Sequence, residues 1–88
     1  MDTHELKSWP KFFNQIIAGL RMHELRRNDR NFQIGDRIKL CEFDPDSQAY
    51  TGRTYAVEIT SITSTKESCA VSKEALHPEF CIMSVKAV

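Results

Sequence analysis

The sequence predicts an α+β protein in which about five strands form a small curled sheet or barrel, with one amphipathic helix near the N-terminus. Two observations support this class. Apolar residues between positions 9 and 20 recur with the period of a helix, whereas later segments alternate apolar and polar residues as strands do. Turn-rich stretches containing Gly, Pro, Asn and Asp separate those segments. With 88 residues, the chain is predicted to form a single domain over residues 1–88.

The predicted helix follows a short leading strand at residues 4–7. Ser8 is expected to cap the helix, and Pro10 suits its first turn. Gly19 is expected to end the helix in a left-handed conformation. The apolar residues of the stripe are expected to form one buried face of about three turns, and they are Trp9, Phe12, Phe13, Ile16, Ile17 and Leu20.

A second strand is predicted at residues 22–26, with Glu24 and Arg26 on one face because side chains alternate along a strand. Residues 28–31 are predicted to form a turn. Its Asn28 and Asp29 side chains are expected to hydrogen-bond the backbone.

Three further strands are predicted after the Gly35–Asp36 turn. They span residues 37–43, 53–63 and 80–85. Ile62 breaks the alternation of the middle one, which predicts a bulge near residues 60–61. The last strand is apolar almost throughout and is predicted to be buried on both faces.

The two connections between these strands differ in character. Residues 44–52 are polar and predict a hairpin loop. Residues 64–79 show no clear period, which predicts a long loop with one turn of helix near residues 73–76.

The composition predicts a soluble globular protein of the cytoplasm. Hydrophobic residues make up 41% and charged residues 27% of the chain, and no apolar stretch has membrane-spanning length. The polar, acidic start does not resemble a signal peptide. Three cysteines without a C-x-x-C pair argue against a disulfide framework and against a zinc site. We therefore expect no metal and no cofactor.

The formal net charge of zero conceals an asymmetry between the two halves of the chain. Residues 1–40 carry eight Lys and Arg against five acids, whereas residues 41–88 carry four against seven. The net charges are thus +3 and −3. A chain without overall positive charge is poorly suited to long duplexes. It remains suited to a small nucleotide or a few nucleotides of RNA.

Four arginines occur within ten residues at the transition from the helix to the next strand, namely Arg21, Arg26, Arg27 and Arg30. A guanidinium group stays protonated and offers a planar set of donors that suits phosphates, carboxylates and base edges. The segment therefore predicts a site for a polar, anionic ligand.

The order of these residues resembles the ASCH family of PUA-like domains, in particular a small bacterial and phage branch of it. The resemblance is carried by residues 4–7 and by Gly19-x-Arg21-x-x-Glu24-x-Arg26, followed by Asn28-Asp29-Arg30-x-Phe32-x-x-Gly35-Asp36. The family signature is Gly-x-Lys-x-x-Glu-x-Arg and then a strand introduced by Gly-Asp. Residues 42–45, 50–53 and 82–86 are also similar to this branch.

The resemblance implies a PUA-like β-barrel with flanking helices and a cleft beside the signature, and it implies binding of RNA or a nucleotide. Some distantly similar members are small amidohydrolases that deacylate a modified cytidine. In those enzymes a Lys and a Thr occupy the positions of Arg21 and Glu24. Arg21 cannot serve as a base, and Glu24 is not an alcohol nucleophile. The two residues that would best support an amidohydrolase activity are therefore missing from this chain.

We therefore predict that this domain binds RNA or a nucleotide in an arginine-rich cleft. Its predicted site residues are Lys7, Arg21, Glu24, Arg26, Arg27 and Arg30. Glu24 and Arg26 would form a polar pair in the cleft, with the carboxylate accepting from a base edge or sugar. The alternative for this pair is a salt bridge on a solvated face. Replacing either residue by Ala is expected to abolish binding with little change in melting temperature.

Other residues were open to a functional or a structural interpretation. Trp9 and Tyr55 are expected to be core residues, and Tyr50 is a weak candidate for contact from the hairpin loop. For Arg27 and Arg30, pairing with Asp29 is as good an explanation as ligand binding.

Two other function classes remain open at this point. One is a minimal amidohydrolase acting on a modified nucleoside, with Glu24 or Glu58 as the acid–base group. The other is a phage or prophage accessory protein that binds a host protein through its arginines.

Overall fold

The computed structural model describes all 88 residues and contains five strands and two short helices. In chain order these are β1 (Thr3–Ser8), α1 (Pro10–Ile17), β2 (His23–Arg27), β3 (Arg37–Asp44), β4 (Ala49–Thr63), α2 (Ser72–Ala75) and β5 (Phe80–Ala87). The predicted α+β class and the number of strands are confirmed.

The strands form one curled sheet, a half-barrel, in the order β1-β3-β4-β5-β2. β1 and β3 are parallel, and the other neighbours are antiparallel. The long strand β4 pairs with β3 through its first part and with β5 through its last part. Its register against β5 shifts between Ile59 and Ser61, which confirms the predicted bulge. A bulge increases local twist, so this shift helps the sheet to curl.

The concave side of the sheet holds a core of eleven buried apolar residues. Ile38 and Leu40 of β3, Val57 and Ile59 of β4 and Met83 of β5 are almost completely buried. α1 packs against β3 and covers this side with Phe13 and Ile16. Neither helix is long and apolar enough to cross a membrane.

The helix is shorter than predicted and buries less of its stripe. Ser8 is the last residue of β1, and Trp9 is the N-cap residue without a side-chain cap bond. Only Phe13 and Ile16 of the predicted face are buried, whereas Trp9 is 57% exposed. Within the eight-residue α1 itself, Phe12 and Ile17 stay 36% and 42% exposed, so the helix turns a narrower face toward the sheet than the stripe predicts. Gly19, with φ of 76°, does follow the helix in the predicted left-handed conformation.

Two predictions about strands were wrong in detail. β4 begins at Ala49, so Tyr50 and Thr51 lie in a strand and the turn is confined to residues 45–48. β5 is buried on one face only: Cys81, Met83 and Val85 point inward and their neighbours outward. Phe80 and Ile82 on the outward face are apolar although neither is buried, which is why composition alone suggested two buried faces.

The start of β1 and the turn before β3 are held together by a residue whose role the sequence did not reveal. Asp36 accepts hydrogen bonds from the backbone N–H groups of Asp2 (3.1 Å) and Gln33 (3.0 Å), and it lies 2.9 Å from Nε2 of His4. The bond with His4 and those from the backbone lower the pKa of the Asp36 carboxyl group below its usual 3.8. The expected side-chain bonds of Asn28 and Asp29 are absent. The backbone N–H of Asn28 instead donates to the carbonyl of Glu79.

β1 and β2 are the two end strands of the sheet, and arginines bridge the gap between them. Nη2 of Arg26 donates to the carbonyl oxygen of Lys7 at 2.7 Å, and Nη1 of Arg30 donates to that of Glu5 at 3.2 Å. These carbonyls are two residues apart on β1, so they face the same edge. We call this arginine-bridged gap the seam.

Candidate cleft at the seam

Two adjoining cavities open along the seam. The signature cavity, of about 520 Å³, lies beside the Gly-x-Arg-x-x-Glu-x-Arg segment and is lined by Lys7, Ser8, Trp9, Phe12, Arg21, His23, Glu24, Leu25 and Arg26. The seam cavity, of about 600 Å³, is lined by Glu5, Leu6, Lys7, Arg26, Arg30, Cys41, Tyr50, Gly52, Arg53 and Thr54. Both volumes are in the range of small-molecule sites. The predicted cleft beside the signature is therefore present as a cavity.

Glu24 and Arg26 form the polar pair at the centre of this region. Nε and Nη2 of Arg26 lie 2.8 Å and 2.7 Å from the same carboxylate oxygen, Oε1 of Glu24. Glu24 is only 3% exposed, so the pair does not lie on a solvated face. The buried carboxylate holds the guanidinium group in one orientation, in which Nη2 also reaches the Lys7 carbonyl.

Because Glu24 is buried and ion-paired with Arg26, we expect truncation of either residue to lower stability, in contrast to the prediction from the sequence alone. Removing Glu24 would leave the guanidinium group of Arg26, whose side chain is 23% exposed, without its carboxylate. Removing Arg26 would leave a buried carboxylate and an edge carbonyl without a donor. Both residues hold the fold together at the seam.

Arg21 lies at the corner between the helix and β2, on the other side of Glu24. Its Nε is 3.9 Å from Oε2 of Glu24 and is buried without any hydrogen-bond partner. Its guanidinium carbon lies 4.2 Å from the ring centroid of Phe12, which is a cation–π distance. Oε2 of Glu24, which lines the signature cavity, therefore has no hydrogen bond, and the buried Nε of Arg21 beside it has no acceptor.

The seam cavity is rich in positive charge. Four of its lining residues are cations and one, Glu5, is an acid, which lies 3.3 Å from Lys39. Lys7 and Arg30 have no carboxylate within 4.0 Å. Nζ of Lys7 lies 4.3 Å from the centroid of the Phe43 ring. Two cations of this cavity are thus not neutralised by the protein.

Arg53 is a residue of the seam cavity that the sequence analysis did not single out. Its Nε is 3.7 Å from the buried carboxylate of Glu42, and its Nη2 donates to Oδ1 of Asn14 at 3.1 Å. The hydroxyl of Thr51 donates to the same Glu42 oxygen at 2.6 Å. If the predicted fourth strand had begun at Ala49, Thr51 and Arg53 would have been predicted to lie on the same face of it.

Arg27 lies away from both cavities. It forms an exposed ion pair of 2.8 Å with Glu79, rather than with Asp29, and stacks over Phe80 at 4.8 Å. The other five predicted site residues line one cavity or both.

Glu58, the alternative acid–base residue, lies 3.9 Å from Lys86 and lines neither cavity. No group of three or more His, Cys, Asp or Glu side chains comes together as metal ligands would.

Each cavity has one half-exposed aromatic ring at its wall. Trp9 lines the signature cavity and Tyr50 the seam cavity, and each is 57% exposed. The assignment of Trp9 to the core was therefore wrong, and Tyr50 projects from a strand rather than from a loop. Tyr55 is partly buried against the core, as expected.

Residues 3–85 match a protein family described as "Domain of unknown function (DUF3850)". This match covers nearly the whole chain, so the protein belongs to that family.

Two individual proteins are similar to it. The "Uncharacterized 12.9 kDa protein in GpA 3'region" of Escherichia phage P2 is 35% identical over 60 residues, which cover 68% of this chain and 53% of the relative. The match thus spans about half the length of the phage protein. The crystal structure of hypothetical protein PH0355 superimposes with a TM-score of 0.62 over both full chains at 13% identity, which shows a common fold. The resemblance to the ASCH family stays a prediction.

Proposed function

We propose that this domain binds single-stranded RNA or a nucleotide in the cleft formed by the two cavities at the seam. The observation that carries this proposal is the presence of Lys7 and Arg30 at the seam cavity without a carboxylate partner. A cation that the protein leaves without a counterion in a concave site is suited to a phosphate group.

The signature cavity supports the recognition of a base or sugar. Oε1 of Glu24 is used by Arg26, whereas Oε2 has no hydrogen bond. A ligand N–H or O–H group could donate to that oxygen, and unpaired bases present such donors on their edges. The half-exposed Trp9 ring at the wall of the same cavity offers a stacking surface.

The charge distribution supports a short ligand over a long duplex. The chain has a formal net charge of zero, so attraction to nucleic acid is confined to the cleft. Local contacts from the cations of the cleft suit a few nucleotides of a single strand.

The test uses charge-removing variants that leave the buried pair intact. Arg30→Gln and Lys7→Gln remove one cation each from the cleft. Arg37→Gln and Lys73→Gln are matched controls, since both residues are exposed, line neither cavity and have no carboxylate within 4.0 Å. Binding of fluorescently labelled short single-stranded RNAs would be measured by anisotropy at several salt concentrations.

We expect each cleft variant to weaken binding and to reduce the slope of log K against log salt concentration by about one. The controls should bind as the wild type does. Equal affinity of cleft variants and controls would overturn the site. Absence of binding by the wild-type protein at millimolar RNA and nucleotide would overturn the function and favour a protein partner.

A further inference from the structure

We infer that the two cavities are consecutive nucleotide subsites of one strand, with the linking phosphodiester at Lys7 and Arg26. This inference rests on the proposed function and deepens it: the ligand would be a single-stranded oligonucleotide and not a free nucleotide. One base would stack on Trp9 in the signature cavity, and the next would stack on Tyr50 in the seam cavity.

The two cavities adjoin at a boundary formed by cationic side chains. They have similar volumes, about 520 Å³ and 600 Å³, and they share two lining residues. Both shared residues, Lys7 and Arg26, are cations. A strand that passes from one cavity to the other must therefore cross a positively charged boundary, which is where a phosphodiester would be stabilised.

The orientation of Arg26 leaves one of its guanidinium nitrogens free for a ligand. Its Nε and Nη2 are occupied by Glu24 and by the Lys7 carbonyl, while Nη1 has no acceptor in the protein. Nη1 is not among the buried unsatisfied atoms, so it is accessible from outside. A guanidinium group that is fixed on one side and open on the other is pre-organised to donate to a phosphate oxygen.

A pair of exposed aromatic rings provides one stacking surface in each cavity. Trp9 and Tyr50 are the large aromatic side chains that line these cavities with more than half of their surface exposed, one in each cavity. Rings that alternate with cations are typical of proteins that bind single strands, because every base can stack while the backbone meets positive charge. A free mononucleotide would use only one of the rings.

The experiment uses Trp9 as a reporter, because it is the only tryptophan of the chain. Quenching of its fluorescence would be titrated with the ribodinucleotides ApA, CpC, GpG and UpU and with the corresponding 5′-mononucleotides. The same dinucleotides with an uncharged methylphosphonate linkage test the phosphodiester contact. Deoxy versions distinguish RNA from DNA as the source of the strand.

Tyr50→Leu removes the stacking ring of the seam cavity and keeps an apolar side chain on β4. Ile34→Ala is the matched control, since Ile34 is exposed and lines neither cavity. We expect the best dinucleotide to bind about tenfold more tightly than its mononucleotide. That advantage should be lost in Tyr50→Leu and with the uncharged linkage, and it should be kept in Ile34→Ala.

The possible failures are distinguishable. Equal affinity for mononucleotides and dinucleotides, or no effect of Tyr50→Leu, would overturn the two-subsite arrangement and leave nucleotide binding intact. Binding of short RNA by anisotropy without quenching of Trp9 would also overturn it. Absence of binding in both assays would overturn the proposed function together with this inference.

Discussion

At the scale of single residues, Glu24 has two roles: it stabilises the seam, and it orients an arginine that lines the cleft. The carboxylate is buried and ion-paired, so it orients Arg26, and Arg26 in turn reaches across to the Lys7 carbonyl. Glu42 does the same less tightly for Arg53. In both cases a buried acid from the sheet positions an arginine that lines the seam cavity. Burying an ion pair costs desolvation free energy. Removing only one partner costs more, because the other charge is then left buried without its counterion.

We predict that Glu24→Ala lowers the free energy of unfolding by about 2–3 kcal/mol, because it strands a partly buried guanidinium group. Urea denaturation measures this change. Glu79→Ala is the matched control: it removes an ion pair of equal length, 2.8 Å, whose side chains are 55% and 65% exposed. The control should change stability by no more than about 0.5 kcal/mol. Equal effects of the two substitutions would show that burial of Glu24 does not matter.

At the scale of elements, α1 illustrates the difference between a periodic pattern and a buried face. The stripe predicts which side of the helix turns toward the sheet, and Phe13 and Ile16 are indeed buried there. Only these two residues of the stripe are buried, so its other apolar residues stay at least partly exposed. Trp9 and Phe12 are thereby left to line the signature cavity, where Arg21 stacks on Phe12.

Phe12 and Phe13 are adjacent and test the difference between the periodic apolar pattern and the face that is buried. We expect Phe13→Ala to lower the free energy of unfolding by about 3–5 kcal/mol, because the ring is fully buried in the core. Phe12→Ala should cost about 1 kcal/mol, since the ring is 36% exposed and loses mainly its contact with Arg21. Chemical denaturation of both variants measures the difference. Similar losses would mean that the helix packs on both rings.

At the scale of the whole molecule, the sheet curls until its two end strands face each other, but they share no strand pairing. Arg26 and Arg30 close the gap by donating to carbonyl groups on the free edge of β1. An unpaired edge is a liability for aggregation, and these side chains cover it. Arg26 also lies at the boundary between the two cavities and Arg30 lines one of them, so closure of the fold and construction of the cleft depend on the same side chains.

Replacing Arg26 by Lys should loosen this closure selectively. A lysine keeps the charge, but its compact ammonium group cannot present the planar fork that serves Glu24 and the Lys7 carbonyl together. We expect backbone amides of β1 to exchange with solvent about tenfold faster, while those in the centre of β4 exchange as before. Hydrogen exchange followed by NMR measures both. Arg27→Lys is the control, and an equal effect of that exposed substitution would contradict a specific role of Arg26.

The sequence by itself determined the class of fold, the order of the elements and the bulge at residues 60–61. Hydrophobic period and turn residues report on local structure directly, which is why Gly19 and the pairing of Glu24 with Arg26 on one strand face were predictable. Tertiary structure alone decided three features: the exposure of Trp9, the ion pair of Arg27 with Glu79 and the position of Arg53 at the cleft. These features depend on how far the sheet curls and on which strands end up as neighbours, and long-range contacts of that kind leave no local period in the sequence.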